Sequence, residues 1–98
     1  MDSLEVTDRA SAAVAVAPRV SKADIEAKIS KVDYLGYGLL TLCIITMQNG
    51  FMVLGKSAPA SPENYNEQLG QQLAYEDAFR QVWPLEGYVL RERLAVSA

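Results

Sequence analysis

Histidine is absent from this 98-residue chain, and cysteine occurs once, as Cys43. The chain therefore lacks the side chain that most often acts as a general base near neutral pH. It lacks the commonest transition-metal ligand as well. A lone cysteine makes no intrachain disulfide, which fits a reducing, cytoplasmic compartment. Charge of neither sign dominates: 9 Lys and Arg stand against 12 Asp and Glu, a net −3. With no dense basic cluster, a nucleic-acid polymer is not an expected partner. Long apolar runs are missing too. Leu39–Met47 is interrupted at Gln48-Asn49-Gly50, far short of the roughly 20 residues of a membrane helix. Asp2, Glu5 and Asp8 stand where a signal peptide carries positive charge, so neither a leader nor a membrane partner is expected.

Half of the residues are apolar, enough for one small core. Residues 1–20 are rich in Ala, Ser and Val and end near Pro18, and they read as a flexible or arm-like tail. Residues 21–98 read as a single domain. Ser21 with Asp24 has the spacing of a capping box, and Ile25, Ile29 and Val32 follow at helical intervals, predicting a helix over Lys22–Ser30. From Val32 onward β-formers and large apolar residues take over, while Gly36 and Gly38 signal a bend or bulge. Asn49-Gly50 is a two-residue hairpin signal between Leu39–Met47 and Phe51–Ala58. With that turn Gln48 pairs with Phe51. Met47, Ile45 and Cys43 then face Met52, Leu54 and Lys56, and Thr46 faces Val53.

Ser61-Pro62-Glu63 reads as the start of a helix, and Tyr65, Leu69, Leu73, Ala78, Phe79, Val82 and Trp83 supply its apolar stripe. Pro84 ends or kinks it, and Leu85–Leu94 reads as a short last helix. The expected architecture is α+β in the order α-β-β-α-α, an antiparallel hairpin packed by helices behind an N-terminal tail. Both faces of the hairpin are largely apolar. If helices cover one, a second copy of the chain is the expected cover for the other; the alternative is that the helices wrap both.

No catalytic set emerges. Glu76 and Asp77 are adjacent on a helix and diverge by about 100°, and Glu63 and Glu67 suit a solvated helix start. Glu86, beside the Pro84 joint, reads as a cap or as a partner for Lys56 or Arg80. Cys43 is set in an apolar strand, which raises a thiol pKa, and Ser57 has no base nearby. No P-loop or metal-ligand spacing is present. The expectation is a protein that is not an enzyme and uses no metal or cofactor.

Certain segments, in order, carry a family likeness: Asn49-Gly50-Phe51, Gly55-Lys56-Ser57-Ala58, Pro62-Glu63-Asn64-Tyr65, Ala74-Tyr75-Glu76-Asp77-Ala78 and Trp83-Pro84-Leu85-Glu86-Gly87-Tyr88. They resemble the phage protein family named after gene forty-nine of phage N-four and gene sixty-six of phage Sf-six. The likeness runs from about Ser21 to Leu94 and leaves out the Ala/Val-rich tail. It implies a phage or prophage source and a small accessory protein in the host cytoplasm, and it carries over no catalytic residues.

Five tyrosines and Trp83 are many aromatic hydrogen-bonders for so short a chain. Tyr37, Tyr65 and Tyr88 are candidates to stack on a ligand, and Lys56 and Arg80 to meet its phosphate. With the family likeness, these residues lead to the expectation of a non-enzymatic homo-oligomer. It binds, in one version, a small nucleotide-type host defence signal at subunit interfaces. The alternatives are a protein-binding inhibitor or adaptor of a host enzyme, and a minor phage structural component.

Overall fold

The computed structural model describes residues 2–97. Asp2 caps the first helix, α1 (Ser3–Val14), by accepting the Glu5 N–H at 2.8 Å. Ser21 and Asp24 form the full capping box that opens α2 (Lys22–Glu26). Three strands follow, β1 (Ile29–Tyr37), β2 (Leu40–Met47) and β3 (Met52–Ser57), in one antiparallel sheet of order β1-β2-β3. After a single turn of 3₁₀ helix at Pro62–Asn64 the chain enters α3 (Glu67–Ser97). The class is α+β, as the sequence predicts.

The details differ from that expectation in several places. Residues 3–14, expected within a flexible or arm-like tail, are helical and bury Leu4 in the core. The α2 helix is short because β1 begins at Ile29, and this strand adds a third member to the expected pair. Gly36 is simply part of β1. Gly38 takes φ 60° at the first central position of the Gly38-Leu39 turn, where a type II′ hairpin turn needs glycine. Finally, the helix expected from Ser61 starts at Glu67, with Asn66 Oδ1 accepting the Leu69 N–H at 2.9 Å. It then runs through Pro84 without a break.

The β2–β3 hairpin lies where Asn49-Gly50 puts it, but its register is shifted by one residue. Met47, not Gln48, pairs with Phe51: its N–H donates to the Phe51 carbonyl at 2.8 Å. The loop therefore holds three residues, with Gly50 at φ 89° and the Asn49 side chain accepting the Phe51 N–H. This is the three-residue solution, in which a glycine in the left-handed region closes the loop. A one-residue slip turns a strand over. Cys43 thus faces Gly55 and Ile45 faces Val53, in place of Lys56 and Leu54. The shift puts Lys56 on the open side and sends glycine toward α3.

That glycine sets the distance between helix and sheet. A Cβ at Gly55 would stand 2.1 Å from the Ala74 carbonyl oxygen and 2.4 Å from the Ala78 nitrogen. Backbone therefore rests on backbone, and α3 packs along β2 and β3. Phe79 fills the centre, flanked by Tyr75 at 5.7 Å and Trp83 at 5.6 Å between ring centroids. Ile25, Cys43, Ile45, Val53 and Val82 complete the core. Glu76, although buried, is satisfied: it accepts from Ser3 Oγ and from Gln72 Nε2 and lies 3.6 Å from the Arg80 guanidinium. The bond from Ser3 ties α1 to α3. The Trp83 indole N–H donates to the Val20 carbonyl at 2.9 Å and secures the α1–α2 linker.

The helices cover one face of the sheet only. On the other, Leu42 and Ile44 are half-buried, while Leu35 and Leu54 are 54% and 52% exposed. Both faces are apolar, as the sequence predicts, and one is open in the single chain.

Replacing Gly55 with alanine is expected to force α3 off the sheet. This overpacking costs about 3 kcal/mol or more, readable as a lowered midpoint in urea denaturation. Burial pushes the Cys43 thiol from an ordinary 9.0 up to about 11. A thiol reagent at pH 8 should accordingly react only on unfolding. Because the unfolded chain ionises this thiol more readily, stability is expected to fall as pH rises from 9.0 through about 11.

Candidate functional site

A 31-residue helix is about 46 Å long at 1.5 Å per residue, longer than the sheet that supports it. Its C-terminal part projects beyond the strands, and the molecule measures 54 Å along its longest axis. Where the overhang passes the β2–β3 loop, a cleft of about 540 Å³ opens. Met47 and Val82 form its floor. Phe51 stands on one wall, and Leu85, Tyr88 and Val89 on the other. Tyr88 is 68% exposed and Phe51 53%, so two aromatic rings are offered to a ligand.

The loop wall is held in place. Gln48 donates its backbone N–H to the Lys28 carbonyl and its side-chain amide to the Ala27 carbonyl, both at 2.9 Å. Lys28 Nζ in turn donates to Glu86 Oε2 at 2.5 Å, joining the segment after α2 to α3. The pair forms a divide. Behind it lies a second hollow of about 310 Å³, lined by Arg19, Asp24, Lys28, Glu86 and Arg93 among others. Arg19 is held by Asp8 at 2.8 Å. An aromatic, largely apolar cleft thus adjoins a hollow with three cationic side chains, and Lys28 lines both. Such a site can take a flat ring in one half and an anionic group in the other.

The five residues singled out in the sequence do not share this site. Tyr88 stands in the aromatic cleft. Tyr37 lies at the end of β1 and is 82% exposed. Tyr65 follows the 3₁₀ turn and lines a small hollow with Tyr34, Leu35 and Thr41. Lys56 is paired with Leu42 and stands on the open face of the sheet. Arg80 is turned toward α1, engaged with Ser3 and Glu76. Glu86 pairs with Lys28 in place of the expected Lys56 or Arg80. Sequence reading missed Lys28, Phe51, Arg19 and Arg93. No local signal marks them, since Lys28 and Glu86 are 58 positions apart and meet only through the packing of α3.

Among the described residues, no helix is long and apolar enough to cross a membrane. No curated protein and no solved structure matches the chain. A family model does: the Phage protein (N4 Gp49/phage Sf6 gene 66) family, over residues 20–94. The matched span takes in α2, the whole sheet and nearly all of α3, and with them the residues that line both hollows except Arg19. A match over that much of a 98-residue sequence places the chain in this phage protein family.

Proposed function

We propose that this phage-family protein is a non-enzymatic accessory protein that acts in the host cytoplasm by binding. In its specific form, it sequesters a small nucleotide-type host defence signal within a homo-oligomer. The observation that carries this reading is the cleft divided at Lys28. Its aromatic half suits a base, stacked against Tyr88 and Phe51. Its cationic half, with Arg19, Lys28 and Arg93, suits phosphate. Lys28 is already paired with Glu86 and Arg19 with Asp8, so an incoming phosphate must compete with a carboxylate for each. A second subunit seated over the cleft would complete the enclosure that one chain leaves open. The open apolar face of the sheet supports self-association. The same face also favours a second reading, an inhibitor or adaptor that docks on a host protein.

A thermal-shift screen of the purified protein against linear and cyclic adenine and guanine nucleotides tests the first reading. At least one of them is expected to raise the melting temperature. Tyr88→Ala should weaken its binding by about tenfold or more, the loss of one stacking contact of ~1–3 kcal/mol. Lys28→Ala and Arg93→Ala should weaken it further at low salt than at high salt. If none of the nucleotides binds, the nucleotide reading fails and the protein-docking one takes its place.

A further inference from the structure

The two edges of the sheet are treated differently by the rest of the chain. On β3, α3 caps two of the outward backbone groups: the Lys56 N–H donates to Asp77 Oδ2 at 2.9 Å, and Gln81 Nε2 donates to the Leu54 carbonyl at 2.6 Å. Asp77 and Gln81 are one helical turn apart, so the seal follows the strand. On β1 nothing comparable occurs among the described residues. Its close backbone contacts are with β2, and no helix lies along its free edge.

The groups left open on β1 follow from the ladder. Backbone groups in an antiparallel strand turn alternately to one neighbour and the other. Met47 bonds to Phe51, the residue before β3, so Ile45, Cys43 and Thr41 also turn toward β3. Thr46, Ile44 and Leu42 therefore turn toward β1, where they meet Lys31, Asp33 and Leu35. Val32, Tyr34 and Gly36 are left with their N–H and C=O groups directed outward. Unpaired edge groups of this kind are a template for another strand.

We propose that the free edge of β1 is a homodimer interface. In it, β1 pairs antiparallel with β1 of a second copy about a two-fold axis at Tyr34, extending the sheet across both copies. In this register Val32 bonds with the partner's Gly36 and Tyr34 with the partner's Tyr34, which satisfies every outward group from Val32 to Gly36. The occupant is a second copy because β1 is self-complementary when reversed. Its first half carries Lys31 and Asp33, and its second half carries the exposed Leu35 and Tyr37. Antiparallel pairing about Tyr34 lays the charged half of each copy along the apolar half of the other. Lys31 then crosses the ring of the partner's Tyr37, Asp33 lies opposite the partner's Leu35, and no like charges stand directly opposite. A two-fold axis one residue earlier would set Asp33 against its own copy. This inference deepens the self-association part of the proposed function and rests on it. It is independent of what the cleft binds.

The test is native mass spectrometry and light scattering at micromolar protein, with far-UV circular dichroism to check folding. The unaltered chain is expected to be a dimer or an assembly of dimers. Gly36→Pro removes an outward N–H without touching the β1–β2 ladder, and should weaken dimerisation by at least about tenfold. Leu35→Asp sets a carboxylate opposite the partner's Asp33 and should weaken it likewise. Adding Asp33→Lys to Leu35→Asp makes that contact attractive and should restore the dimer. A monomeric wild type overturns the proposal. So does a folded Gly36→Pro protein as oligomeric as the wild type. Should Gly36→Pro fail to fold, the charge pair decides: no loss with Leu35→Asp, or no rescue by Asp33→Lys, overturns it. Nucleotide binding measured on the same samples separates the two ideas, since a dimer that behaves as expected yet binds no nucleotide sinks only the nucleotide reading.

Discussion

The contact of Gly55 with Ala74 and Ala78 is the constraint on which the rest of the structure depends. A side chain at position 55 would occupy the space of the α3 backbone. Because there is none, the helix lies flat on β3, close enough for Asp77 and Gln81 to reach the outward groups of that strand. The same approach puts Phe79 and Val82 over Cys43 and Ile45 and closes a dry core in a chain of 98 residues. A second near-contact, of Gly70 with Thr41 and Ser57, repeats the arrangement nearer the start of the helix. There the Ser57 hydroxyl donates to the Gly70 carbonyl at 2.6 Å. Small residues thus fix both the distance and the heading of α3.

The candidate site follows from that heading. Once α3 is laid along β2 and β3, its length carries Leu85, Tyr88 and Val89 past the sheet and opposite Phe51. The bond between Lys28 and Glu86 then ties the overhang to the segment after α2. Helix α1 is held from the other side, through Ser3, Glu76 and Arg80. The helices are spent on one face of the sheet and one of its edges. What remains bare is the face carrying Leu35, Ile44 and Leu54 and the edge formed by β1. A small chain with one long helix has no second layer to offer, so these surfaces are where association is to be sought.

Much of the local structure is legible in the sequence because its causes are local. The Ser21–Asp24 capping box forms as its spacing predicts. Asn49-Gly50 marks the hairpin loop, and Cys43 is a core residue. The errors have equally definite causes. The hairpin slips by one because two loop lengths suit the same dipeptide, and burial of Val53 and Gly55 under α3 selects the longer. Pro84 reads as a stop or a kink because the missing N–H costs a helical bond, yet α3 continues, with Val82 and Trp83 packed on one side of the proline and Glu86 tied to Lys28 on the other. The Ala-rich segment reads as a tail because one buried leucine, Leu4, is too weak a periodic signal.

By itself the sequence determined the class of fold, the family, the cap of α2 and the place of the β2–β3 loop. Each depends on residues close together in the chain, or on motifs whose order alone carries the information. Only the tertiary structure decided which face of each strand is buried, which sheet edge is sealed, and that Lys28, Phe51 and Tyr88 stand around one cleft. Those outcomes rest on how closely α3 can approach the sheet, a distance between segments that no local spacing encodes.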